Sequence, residues 1–151
     1  MAFERVFYRI VVPTDFSECA GHAWALAQRL AGASEAELVL VHVLSQAPLF
    51  RESPFGMDRV RRVYDRAKSW AERSLEEWAE KARATGLAVR IALRTGTPDR
   101  EIVALAIDER ADLLVMGTHG RSGLDRAILG SVADRVVRLG PCPVLTVREP
   151  C

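Results

Sequence analysis

Gly117, Gly120 and Gly130 stand with two and then nine residues between them, and Ser131 follows the third directly. The apolar run Leu113, Leu114, Val115, Met116 leads into the first glycine, and Val132, Val136 and Val137 recur at helical spacing after the last. That order reads as a buried strand, a glycine-rich loop and a helix. Glycine tolerates φ > 0 and lets the backbone approach a ligand closely. The first turn of a helix adds unpaired N–H groups and a partial positive charge. The chemistry such residues suit is the binding of a phosphate by backbone groups. They also fit a plain turn in which Ser131 and Asp134 cap the helix, in the manner of a capping box. The only side chains of the loop that add positive character are His119, Arg121 and Arg126. Without a lysine it is not the Gly-Lys-Ser/Thr loop that holds β- and γ-phosphates, and the spacing is not the dinucleotide G-x-G-x-x-G after a first strand.

A second group of residues lies near the N-terminus. Val6 to Val12 reads as the first strand, closed by Pro13, so Thr14 and Asp15 fall at its carboxyl end. In open parallel sheets that edge collects ligands, above all at the switch point between neighbouring strands. The Asp15 carboxylate can accept hydrogen bonds from ribose hydroxyls; it can equally cap the next helix, a task for which Ser17 competes.

The G-x2-G-x9-G-S pattern, together with IVVPTDFSECA (Ile10 to Ala20) and PCPVLTV (Pro141 to Val147), resembles the universal stress protein family over essentially all 151 residues. The resemblance implies one domain over residues 1–151 with a flavodoxin-like, adenine nucleotide alpha hydrolase-like fold. It implies a regulatory stress protein that binds ATP with Mg²⁺, or AMP or another adenine nucleotide. The expected binding residues are Pro13, Thr14, Asp15, Val43, Met116, Gly117, His119, Gly120, Gly130, Ser131 and Val132. Adenine would sit by the backbone of Val43, ribose between Asp15 and Gly117, and phosphates over Gly120, Gly130 and Ser131. Mg²⁺ would accompany the triphosphate without a carboxylate cage, since no acidic cluster appears. A homodimer through the last strand, at Val144 and Thr146, is implied as well.

Rival functions differ in what they require. A slow ATPase or phosphoryl-transfer enzyme needs a positioned base, for which Asp125 and His119 are the nearby candidates. A two-component receiver needs an acceptor aspartate after strand three and a lysine after strand five; here strand three ends in Arg94-Thr95-Gly96 and no such lysine exists. Flavin binding would want an aromatic-flanked phosphate loop, which is missing. A stress protein acting through dimer or partner contacts without nucleotide is the remaining reading.

The elements that must position these residues follow from periodicity. A helix over about Ser17 to Leu30 buries Ala20, Ala23, Trp24, Ala27 and Leu30 and stops at Gly32. Glu37 to Leu44 is near-continuously apolar, a strand covered on both faces, in which His42 reads as a satisfied buried histidine. Ser45 to Met57 has no periodicity and follows a strand at the ligand edge, as a lid or a long connection would. A long helix from about Asp58 to Thr85 presents Val60, Val63, Ala67, Trp70, Ala71, Trp78, Ala79 and Ala82 and stops by Gly86. Leu87 to Arg94 alternates as an edge strand. Thr97 and Pro98 then open a helix buried through Ile102, Val103, Leu105, Ala106 and Ile107. Val144 to Val147 closes the series. Five strands alternating with four helices predict an α/β fold, a five-stranded mostly parallel sheet in the order 3-2-1-4-5 with helices on both faces.

Composition bounds the rest. A chain of this length is one domain by size and can bury a real core. A net charge of +1 gives no global field for nucleic acid or an acidic membrane. Three cysteines, Cys19, Cys142 and Cys151, support neither a disulfide framework nor a metal site. No signal peptide opens the chain and no run reaches membrane-spanning length, so a cytoplasmic address is expected, with no nucleic-acid or membrane partner.

Overall fold

The computed structural model describes residues 4–45, 56–119 and 128–149. Five strands, β1 (Arg9–Pro13), β2 (Glu37–Leu44), β3 (Val89–Thr95), β4 (Leu113–Gly117) and β5 (Val144–Val147), alternate with four helices, α1 (Glu18–Ser34), α2 (Met57–Arg83), α3 (Pro98–Asp108) and α4 (Ser131–Leu139). The sheet order is β3-β2-β1-β4-β5 and every pairing is parallel. This is the expected order, and the sense in which successive strands are added across the sheet reverses between β1 and β4, which defines the switch point.

The period-2 alternation of the inner strands divides the core into two layers. Ile10 and Val12 of β1, Leu38 and Leu40 of β2, and Leu113 and Val115 of β4 pack against Ala23, Trp24 and Ala27 of α1 and Leu75 and Ala79 of α2. Val11, Val39, Val41, Leu114 and Met116 point the other way, onto Ile102 and Leu105 of α3 and Ala133 and Val136 of α4. Each fully buried aliphatic side chain contributes about 1.5–3 kcal/mol relative to exposure, which is why the continuous apolar runs can only be interior strands.

Some boundaries and helix faces depart from expectation. The first strand starts at Arg9, because Val6 and Tyr8 are 73% and 60% exposed and have no layer to pack into. Gly32 does not end α1, which continues to Ser34 and is closed by Glu35 in a left-handed conformation at φ 53°. On α2, Val63 and Trp70 are exposed, and Leu75 takes the buried position between them and Ala79. Ile107 of α3 also faces out, at 58% exposure. Gly86, at φ +93°, stands in the turn after α2, where a left-handed residue is needed. The Ser45–Met57 loop reading falls almost wholly on residues 46–55, outside the described residues.

Candidate functional site

The β1–α1 turn is built by its own side chains. The Thr14 Oγ1 accepts from the Phe16 N–H at 2.9 Å and the Asp15 carboxylate accepts from the Ser17 N–H at 3.0 Å. Ser17 is the helix cap, its hydroxyl accepting from Ala20 N–H at 3.2 Å, so Asp15 braces the turn and does not cap the helix. Phe16 sits at φ 62°, a conformation that costs a bulky residue energy. It is held by its ring, which lies 4.9 Å from the His42 ring and makes edge contacts with Trp70 at 5.0 Å and Trp78 at 5.5 Å.

Across the switch point, the β4–α4 connection is held by backbone. Gly130 is the N-cap of α4, and its N–H donates to Thr118 O at 2.7 Å. The first bond of α4 runs from Asp134 N–H to Gly130 O, at 2.9 Å. Ser131 is therefore the first helical residue, and among the described residues no side chain caps the helix. Asp134 instead pairs with Arg138 at 3.2 Å, so the capping-box alternative is not what forms. Among the described residues, no acceptor takes the N–H groups of Ser131, Val132 and Ala133.

The two glycines flanking this loop earn their place by close approach, not by positive φ. A Cβ on Gly117 would lie 2.9 Å from Cys19 Sγ and 3.1 Å from the Cys19 carbonyl carbon; on Gly130 it would lie 2.8 Å from Thr118 O.

These pieces enclose a cleft of about 300 Å³ at the carboxyl ends of β1, β2 and β4. Pro13, Thr14, Asp15, Val43, Met116, Gly117, His119, Gly130, Ser131 and Val132 all line it. Gly120, Arg121, Asp125 and Arg126 lie outside the described residues. The cleft also takes in Ala20, Val41, His42, Pro98, Ile102, Thr118 and Ala133, which the sequence reading did not assign to a site. Thr118 and Ala133 are adjacent to assigned residues and follow from the same loop. Pro98 and Ile102 come from α3, whose first turn borders the cleft only because of the sheet order, and nothing local marks them. The walls are chiefly apolar, with backbone groups and the side chains of Thr14, Asp15, His119 and Ser131 at the polar positions. His119 Nδ1 is 2.8 Å from Thr118 Oγ1. Among the described residues there is no group of three His, Cys, Asp or Glu side chains placed to hold a metal ion. Nor does any described helix have the length and apolarity to cross a membrane.

The family model described as the universal stress protein family matches residues 7–148. The chain belongs to the universal stress protein family. It is 35% identical to a universal stress protein of Thermus aquaticus over 149 residues, covering 95% of this chain and 100% of that one. Among solved structures of this fold, that of MJ0577, a Methanocaldococcus jannaschii universal stress protein, superposes with a TM-score of 0.84 at 28% identity, covering 95% and 97% of the two chains. A universal stress protein crystallised in complex with cAMP superposes with a TM-score of 0.68 at 29% identity, covering 94% and 97%. The family assignment thus spans both walls of the cleft.

Proposed function

We propose that this universal stress protein binds an adenine nucleotide, ATP or a close relative, in the β1–β2–β4 cleft and acts as a nucleotide-dependent regulator. The observation that carries the reading is the first turn of α4, whose N–H groups find no acceptor among the described residues. Three backbone donors with the positive end of a helix dipole open into a cleft whose opposite wall holds Asp15 and the Val43 backbone. Phosphates belong over Gly130 and Ser131, ribose between Asp15 and Gly117, and the base against Val43. A triphosphate would bring its own Mg²⁺. The relative crystallised with cAMP supports the ligand class. The second part of the proposal is a homodimer through β5, supported by its place at the sheet edge with Leu145 38% exposed.

Gly130→Val is a poor test, since its side chain would strike Thr118 O whether or not phosphate binds. Ser131→Asp is a sharper one. A carboxylate in the first turn favours the helix dipole, so the fold should persist while the phosphate is repelled. Protein purified, denatured and chromatographed should release adenine nucleotide from the wild type and none from the variant. Mg-ATP titration should show binding weakened about tenfold or more, on the order of 1.4 kcal/mol, with adenosine binding unchanged. Unaltered ATP affinity in Ser131→Asp would displace the phosphates from α4, and a wild type that binds no adenine nucleotide would end the reading altogether.

A further inference from the structure

The hydrogen-bond register of β2 contains an interruption that bears on which base the cleft accepts. Glu37 N–H donates to Tyr8 O at 2.9 Å, and Thr14 N–H donates to Val41 O at 2.8 Å. The odd-numbered residues of β2 therefore turn their backbone groups toward β1. The even-numbered ones face β3, as shown by Leu38 N–H to Ala88 O and Gly96 N–H to Leu44 O, both 2.9 Å. Val43 faces β1, one step past the Thr14–Val41 rung. In an evenly continued parallel ladder its N–H would donate to Thr14 O.

That bond does not form. Thr14 O instead accepts from the His42 imidazole, with Nδ1 at 2.7 Å. A carbonyl only accepts, so Nδ1 carries the hydrogen. The Thr14 hydroxyl holds Phe16 N–H at 2.9 Å and turns the chain away from β2, while the Phe16 ring packs on His42 at 4.9 Å. Among the described residues the Val43 N–H and C=O are left without a backbone partner on the β1 side, and Val43 lines the cleft.

We infer that His42 is a positioning residue for base recognition: by drawing Thr14 O into its own hydrogen bond it holds the β1–β2 ladder open and leaves the Val43 N–H and C=O to read a purine edge. This rests on the nucleotide reading above. A donor and an acceptor on one residue match the N1 acceptor and N6 amino donor of adenine. Hypoxanthine and guanine, held in the same ring pose, present a carbonyl oxygen and an N1–H, so donor meets donor and acceptor meets acceptor. A site built to hydrogen-bond one edge rejects the mismatched one strongly, because buried polar groups are left unpaired.

The test compares wild type with His42→Asn, whose amide nitrogen occupies the place of Nδ1, and His42→Leu, of similar size without a donor. His42→Val, a good strand former, is read in the same way as the leucine variant. Two readouts are used: ATP against ITP affinity, and hydrogen exchange of the Val43 amide without nucleotide. Wild type and His42→Asn should prefer ATP by about tenfold or more and should exchange the Val43 amide rapidly. In His42→Leu the amide should become protected as it closes onto Thr14 O, and the ATP preference should collapse toward unity. A Val43 amide already protected in the wild type, or unchanged exchange and base preference in both the leucine and valine variants, overturns the inference. A wild type that binds neither nucleotide while the exchange contrast holds defeats the nucleotide reading and leaves the ladder assignment standing.

Discussion

Gly117 shows how a residue can be legible in sequence for one reason and needed for another. The spacing of the glycines points to a loop that approaches a ligand, yet the closest neighbour of Gly117 is the first turn of α1. A methyl group there would lie 2.9 Å from Cys19 Sγ and 3.2 Å from Cys19 O. Overpacking of this kind costs about 1–3 kcal/mol, so Gly117→Ala should lower the unfolding free energy measured in urea by that amount with or without nucleotide. Adding Cys19→Ala should recover part of the loss and not all of it, because the Cys19 backbone remains in contact. Full recovery would place the strain on the sulfur alone, and no loss in the single variant would return Gly117 to a purely ligand-facing role. The lining positions quoted from the family motif could be read in advance because they are consecutive with it. His42 could not, since a histidine inside an apolar strand has the same signature whether it is satisfied by water, by a side chain or, as here, by the Thr14 carbonyl just past the neighbouring strand.

At the scale of elements, the apolar runs of β1, β2 and β4 dictated strand and burial together, because only a doubly covered parallel sheet can hide both faces, while the order followed from the alternation of strands and helices. Helix faces were less legible where a residue's fate depends on what arrives from elsewhere. Trp70 is 42% exposed although it shares the helical period, and its ring meets Phe16 edge-on at 5.0 Å in the β1–α1 turn. The opposite end of the sheet is tied by charge. Glu37 of β2 bonds Arg9 of β1 at 3.0 Å and Arg90 of β3 at 2.5 Å, while Glu109, after α3, bonds Arg90 at 2.6 Å. The Arg90 hydrogen bond, with Arg9 in support, holds the Glu37 carboxyl below its ordinary range against a desolvation effect that works the other way. A depressed carboxylate stabilises the fold above its unfolded pKa of about 4.3, and that contribution is lost as pH falls through the lower folded value. Glu37→Gln should therefore cost about 1 kcal/mol at neutral pH, as expected of partly exposed pairs. The gap from wild type in chemical denaturation should close on acidification below about pH 4. A gap independent of pH would assign the effect to packing of the side chain and not to its charge.

At the scale of the whole molecule, the sheet ends on one side at β5, an edge whose chemistry can be read bond by bond. Leu114 N–H donates to Pro143 O and Thr118 N–H to Val147 O, both at 3.0 Å, so the odd-numbered residues at β5 serve β4. Val144 and Thr146 consequently turn their N–H and C=O groups outward, away from the sheet. Two such edges meeting antiparallel about a two-fold axis can exchange backbone hydrogen bonds between copies, with exposed Leu145, and Val137 and Leu139 of α4, available to be covered. Proline at an edge position whose N–H faces outward is tolerated by the strand that carries it. Thr146→Pro should thus keep the monomer's circular dichroism and its nucleotide binding while shifting sedimentation from dimer to monomer, with self-association weakened about tenfold or more, at least about 1.4 kcal/mol. Leu145→Pro, which removes a donor to β4, should instead lower thermal stability. A Thr146→Pro protein that sediments like the wild type would mean that the copies, if they pair, use another face. A wild type that stays monomeric at high micromolar concentration would mean that this edge serves a different partner or none.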